Sequence, residues 1–368
     1  MCILILANLL HLYEMQHNYK LLGLLLLFGL VSAIKAQSAD STASDTLIKF
    51  KKELIAHTKD LESCAFSHNG KWLASAGWDK NIKLMSADTS NLGTVLKTFT
   101  GNQSAINKVV FSPNDKLIAS AGKDFVTRVW DIESEEMLFE SYENTNEVTD
   151  VHFSPDGNFI TTASKDGSLR FYDLYNQEKN IPPKIIDYKS PILDLEPTKS
   201  GKTFVVASTK NDIDVIDLRG RVSMSLIGHN AQVNSIKFSP TKRLLASGSD
   251  DNTIIIWNMA TKSSLFTLTG HEWHISSVAW SYDERYLLST SIGGEAILWD
   301  AKSGEQLSRF QHRITDARSI DISPNLKQII VAGKIPNYTK GVELYTTGLT
   351  KIAKRKKPVP RKGKSNRK

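Results

Sequence analysis

The sequence predicts an all-β fold, a seven-bladed β-propeller with four antiparallel strands per blade, and three observations carry that expectation. The first is a short recurring pattern, an apolar residue usually followed by Ser and often by Pro. It occurs as AFSHNGK at Phe66, VFSPNDK at Phe111, HFSPDGN at Phe153, DLEPTKS at Leu195, KFSPTKR at Phe238, AWSYDER at Trp280 and DISPNLK at Ile322. The copies lie 45, 42, 42, 43, 42 and 42 residues apart, a period that marks a repeat architecture. Second, each copy has one internal order: an alternating strand enters the turn, then come a strand such as LLASGS, a tight polar turn, a third strand such as TIIIW and a fourth such as LFTLTG. One four-stranded sheet cannot bury both its faces alone, so the seven stack radially. Third, the last repeat runs out near Thr346 without a fourth strand, while residues 47–56, LIKFKKELIA, precede His57 as LFTLTG precedes His271. The N-terminal strand 47–56 is therefore expected to close the ring, removing an exposed edge.

Taken in chain order, residues 1–36 read as an export signal. Lys20 supplies the positive region, Leu21–Ala33 the apolar core, and Ile34-Lys35-Ala36 precede a cut at Gln37. That run is shorter than the roughly 20 residues of a spanning helix, so a cleaved signal is expected in preference to a retained membrane anchor, with no transmembrane span in the mature chain. A second apolar stretch and Glu14 stand ahead of the positive region, which makes Met15 a candidate start. Residues 37–45 form a linker, 46–348 the propeller, and 349–368 a basic tail expected to be disordered. Cys2 and Cys64 are the only cysteines. Cys2 would leave with the signal, so no intramolecular disulfide is expected, and Cys64, two residues before Phe66, falls on the buried face of its strand. These features together predict a secreted or periplasmic bacterial protein.

The composition, 40% hydrophobic and 23% charged, allows a sizeable core in 368 residues. The formal charge of +7 is unevenly placed: residues 350–368 hold ten cations and no acid, and residues 37–349 carry a net −4. The basic balance describes a tail and not the folded body.

The repeats resemble the WD-repeat family over residues 46–348. The fifth copy is the fullest, with Gly228-His229, then LLASGSDDNTIIIWN and Trp257-Asn258 in place of Trp-Asp, while Trp130-Asp131 and Trp299-Asp300 give the namesake pair outright. The resemblance implies a hydrogen-bonded set of His229, Ser247, Asp251 and Trp257 inside the fifth blade, because an unpaired buried donor costs about 1–3 kcal/mol. Blade one matches at His57, Ser75 and Asp79 but has Met85 for Trp; blade two has Asn102, Ser120, Asp124 and Trp130. Blade three shows Asn144, Thr162, Asp166 and Tyr172, and blade six keeps His271, Ser289 and Trp299 with Gly293 in place of the Asp. Blades four and seven lack the pattern.

His, Ser and Asp also compose a hydrolase triad, but a set repeated in several blades reads as scaffold, whereas a catalytic set occurs once. There is no G-x-S-x-G. His271-Glu272-Trp273-His274 is one residue short of a zinc-binding H-E-x-x-H. Ser200-Gly201-Lys202-Thr203 imitates a phosphate loop, but Glu196 stands where its first Gly belongs and a strand follows. No catalytic residue, metal or cofactor is expected.

WD-repeat proteins bind partners on the face formed by the loops leading into each first strand and the turns joining second to third strands. Carried over residue by residue, that face takes Trp78, Lys123, Lys165 and Asp250 from the turns, and Asp60, Glu62, Asn107, Glu147, Gln232, Asn234, Trp273, His274, Asp316 and Arg318 from the loops. Trp78 and Trp273 occupy no core position of the repeat, which leaves two readings open, a binding anchor or a cover over a neighbouring loop. The expected function is an exported scaffold for a protein or peptide partner. Two alternatives stay open: a propeller hydrolase or lactonase working at the channel mouth, and an accessory protein binding anionic surfaces through Lys354, Arg355, Lys356, Lys357, Arg361 and Lys362 of the tail.

Overall fold

A computed structural model describes residues 47–175, 182–335 and 341–349; residues 1–36, expected to be an export signal, the expected linker and the basic residues 350–368 lie outside these residues. The described residues form seven four-stranded antiparallel sheets, each ordered from an innermost to an outermost strand. Blade one, for example, comprises Leu61–Phe66, Trp72–Gly77, Ile82–Ser86 and Val95–Phe99. Blade seven takes three strands from the C-terminal side, Asp316–Ile322, Gln328–Lys334 and Gly341–Thr347, and its fourth is the N-terminal strand Ile48–Ile55. The closing pair is antiparallel, from Ile48 opposite Thr347 to Ile55 opposite Gly341. The expected closure of the ring is thus the observed one.

Both faces of every sheet are apolar because each gap between blades holds its own hydrophobic cluster. Blades one and two enclose Leu84, Phe99, Ile106, Ile118 and Trp130; blades five and six enclose Ile254, Ile256, Leu287, Ile297 and Trp299. Cys64 lies in the gap between blades seven and one, and burial pushes its thiol far above the ordinary value, so it packs as a small apolar group. Among the described residues no helix is long and apolar enough to cross a membrane.

One register differs from the sequence reading. In blade one the repeat's aromatic, Phe66, pairs with Leu73, and Ser67 N donates to Trp72 O at 3.0 Å. In blade four the same two places are held by Pro197, paired with Phe204, and Thr198, whose N–H reaches Thr203 O at 3.0 Å. The repeat position is therefore Pro197 and not Leu195. Proline is tolerated at the inner edge of the innermost strand, where no further strand needs its missing N–H. Ser200–Thr203 is no phosphate loop but part of a hairpin turn, with Gly201 N donating to Thr198 O at 3.0 Å.

Candidate functional site

Each of the seven innermost strands carries a β-bulge at one repeat position. Pairing with the second strand skips one residue, between Leu61 and Ser63 in blade one and between Val233 and Ser235 in blade five, and likewise in the rest. A bulge re-aims the extra side chain. The skipped residues are Glu62, Asn107, Thr149, Leu193, Asn234, Ser276 and Arg318, and all seven line one cavity of about 680 Å³ at the mouth of the ring.

Two further tiers surround this ring. Asp60, Glu147, Gln232, His274 and Asp316 stand two residues before the bulge, Trp78, Lys123, Lys165, Asp250 and Ile292 follow the second strands, and Lys334 ends the second strand of blade seven. Backbone bonds join the tiers: Trp78 N donates to Asp60 O at 2.8 Å, Lys165 N to Glu147 O at 2.9 Å and Asp250 N to Gln232 O at 2.9 Å. Of the fourteen residues named for this face from sequence, only Trp273 lies off the cavity lining. Glu62, Asn107, Asn234, Asp316 and Arg318 come from within the innermost strands and not from the loops before them. Thr149, Leu193, Ser276, Ile292 and Lys334 also line the cavity but were missed. The signal was available as a fixed offset of four residues before the repeat's aromatic position, which the misplaced anchor hid for Leu193.

The mouth is laced by ion pairs. Lys123 Nζ lies 3.1 Å from Glu62 Oε1, Lys165 Nζ 2.8 Å from Glu147, His274 Nδ1 2.9 Å from Asp250 and Arg318 Nη2 2.8 Å from Asp316. Trp78 Nε1 donates to Glu62 Oε1 at 2.6 Å, and Lys123 Nζ sits 4.3 Å from the indole centre, yet 47% of Trp78 remains exposed. The indole is fixed at its polar end while its apolar body faces the cavity.

Below the mouth, side chains of one blade bond the backbone of the next. Ser63 Oγ accepts from Val109 N at 3.2 Å, Asp194 Oδ2 from Ile236 N at 2.7 Å, Ser277 Oγ from Ile320 N at 3.3 Å and Ser319 Oγ from Cys64 N at 3.2 Å. Blade two places Lys108 here, which cannot accept. Val151 N is bonded instead by Asp150 Oδ1 at 2.8 Å, and Asp150 Oδ2 also accepts from Leu195 N at 3.0 Å. Lys108 Nζ lies 3.5 Å from Asp150 and 3.7 Å from Asp194. Burial raises both carboxyls, but His152 and Lys108 hold Asp150 well below the usual range. Asp194 is pushed up to about 8 by burial and by Asp150, against the pull of Lys108.

The polar set inside the blades explains the recurring His, Ser and Asp. In blade five His229 Nδ1 lies 2.9 Å from Asp251 Oδ2, His229 Nε2 lies 2.7 Å from Ser247 Oγ, and Trp257 Nε1 donates to Ser247 Oγ at 2.8 Å. Burial lowers the affinity of His229 for a proton, against the pull of Asp251. Ser247 is fully buried, beyond the reach of a substrate. Blade six corrects the sequence reading: Glu295, two residues after Gly293, reaches His271 Nδ1 at 2.8 Å with its longer side chain. In blades two and three a buried arginine replaces the histidine ring, Arg128 bonding Asp124 at 2.7 Å and Arg170 bonding Asp166 at 2.9 Å, each beside its Asn102 or Asn144.

Gly293 is free of the Asp role because Trp273 lies over it. A Cβ at 293 would sit 2.0 Å from Trp273 Cδ1. Gly293→Asp is therefore expected to displace the indole at a cost of about 1–3 kcal/mol, read as a lowered melting temperature. Adding Trp273→Ala should recover most of that loss; an unrelieved loss would place the clash elsewhere.

Five stretches, residues 48–85, 93–131, 136–173, 220–258 and 262–300, match the family model described as WD domain, G-beta repeat. Together they make up just over half of the chain. The chain belongs to the WD-repeat family. Each matched stretch joins the outermost strand of one blade to the first three of the next, and the unmatched blades four and seven are those where Tyr188 with Asp214 (2.5 Å) and Tyr345 with Glu343 (2.6 Å) replace the WD pattern.

The WD-repeat chain is 26% identical over 201 residues to the nuclear distribution protein PAC1 of Arthroderma benhamiae, covering 52% of this chain and 36% of that protein. It is 28% identical over 211 residues to periodic tryptophan protein 2 of Arabidopsis thaliana, covering 56% and 23%. To the small ribosomal subunit protein RACK1 of Neurospora crassa it is 33% identical over 93 residues, covering 25% and 28%. The matches thus span little more than a third of these relatives' lengths, or less. Membership carries a general role as a protein-interaction scaffold. The expectation of a secreted or periplasmic bacterial protein is overturned: these relatives are fungal and plant proteins, and two of their names refer to nuclear distribution and to the small ribosomal subunit. The export reading rested on the composition of residues 1–36, which lie outside the described residues.

Proposed function

We propose that this WD-repeat scaffold holds a protein or peptide partner at the mouth of its ring. The observation that supports it is the convergence of seven bulge residues on one cavity with a half-exposed, anchored Trp78 at its edge. A tryptophan held in place by a hydrogen bond supplies apolar contact area at little entropic cost, which is how interface anchors work. Trp273 extends the surface outside the cavity and contributes less.

Trp78→Ala is expected to weaken capture of the main partner by roughly tenfold or more, and Trp273→Ala by less, in quantitative pull-downs from the source cells. A partner indifferent to Trp78→Ala would remove the mouth as its docking place.

A further inference from the structure

Resting on that reading of the mouth, we infer that the partner segment it receives is an acidic peptide, whose carboxylates meet Lys165, Lys334 and Arg318 while an apolar side chain lies against Trp78. Every ion pair of the mouth has the same polarity with depth. Arg318 is 48% exposed against 32% for Asp316, and Lys165 40% against 27% for Glu147. Lys123 over Glu62 repeats the order. The carboxylates are sunk and the cations stand outward, so an approaching chain meets positive charge although the rim is close to neutral. Opposite charges presented this way steer encounter and fix orientation.

The cations are also gathered on one arc. Lys334 and Arg318 belong to blade seven, Lys123 to blade two and Lys165 to blade three, with Trp78 of blade one between them. The opposite arc presents Leu193, Gln232, Asn234, Ser276 and Ile292 with His274 on Asp250, and among its described residues no lysine or arginine lines the cavity. An extended segment following the first arc would pass over Trp78 with cations on both sides of it. A nucleic-acid strand fits less well, because its continuous run of phosphates would also pass over Asp60, Glu62, Glu147 and Asp316, whereas a peptide can place its few carboxylates at the outward cations alone.

The test uses the full chain and fluorescence anisotropy with three labelled short peptides, each of Gly with one central Leu and flanking Glu, Gln or Lys. The Glu peptide should bind at least about tenfold more tightly than the Gln peptide at low salt. Lys165→Glu with Lys334→Glu should weaken the Glu peptide by about tenfold and improve the Lys peptide, a reversal that a merely misfolded variant would not show. The cationic tail is unchanged in that variant, so binding of the Glu peptide that survives intact would lie outside the mouth and overturn the inference. Equal or tighter binding of the Gln or Lys peptide to the unaltered protein would overturn the acidic partner while leaving the mouth as a docking surface. A single-stranded oligonucleotide displacing the Glu peptide from the mouth in preference would overturn it in favour of nucleic acid. No binding by any peptide, together with a partner indifferent to Trp78→Ala, would sink both readings.

Discussion

A chain lacking residues 47–56 is expected to lose cooperative folding altogether. Ile48 is buried in the gap between blades six and seven, and Leu54 in the gap between blades seven and one, so this one strand seals two of the seven clusters. Each fully buried aliphatic side chain contributes about 1.5–3 kcal/mol, and each lost backbone bond about 0.5–1.5 kcal/mol more. Against a typical domain stability of about 5–15 kcal/mol, the loss is most or all of it. The deletion also uncovers the edge of Gly341–Thr347, which then offers itself for pairing with other chains. Thermal unfolding and size-exclusion chromatography read the result. A soluble monomer with a sharp transition would show that six complete blades and one of three strands suffice. Moving the same ten residues to follow Leu349 should restore the transition, because the strand would still pair antiparallel with its neighbour across a hairpin like those of the other blades.

The difference between what the sequence announced and what it concealed has a physical basis. The closing strand was legible because ring closure leaves one blade short of a strand and one strand without a blade, and only Ile48–Ile55 answers both. The bulge ring was legible only in part, Glu62, Asn107, Asn234 and Arg318 being named and Thr149, Leu193 and Ser276 not, because its residues share a place and not a chemistry. Position alone identifies them, and position required the correct anchor in every blade. Blade four failed there because Leu-Glu-Pro imitates the apolar-Ser-Pro pattern two residues too early. Glu295 was missed for a related reason: a longer side chain reaches the same imidazole from two residues farther on, so the function of Asp251 persists while its position shifts. Arg128 and Arg170 were visible in sequence at one common spacing after Asn102 and Asn144, and their pairing follows once the missing histidine is recognised as a missing hydrogen-bond donor.

The second large effect concerns the single junction where the belt of inter-blade bonds reverses its chemistry. In blades one, five, six and seven a serine accepts the next blade's N–H. Lys108 cannot, and Asp150 fills the gap by accepting from Val151 and Leu195 while balancing the Lys108 charge. Asp150→Ser is expected to cost roughly 2–4 kcal/mol, since it strips the half-buried Lys108 ammonium of its closer carboxylate and the Val151 and Leu195 N–H groups of an acceptor, whereas Ser235→Ala should cost about 1 kcal/mol for one neutral bond. Lys108→Ser alone should also be costly, leaving Asp150 and Asp194 buried side by side with only His152 to offset them. The double change Lys108→Ser with Asp150→Ser converts this junction to the serine pattern of its neighbours: Ser at 108 can take the Val151 N–H and Ser at 150 the Leu195 N–H. It is therefore expected to be more stable than either single variant in denaturant titrations. Losses that simply add would mean that the lysine and the aspartate act independently, and that the belt is not the unit holding the inner strands together.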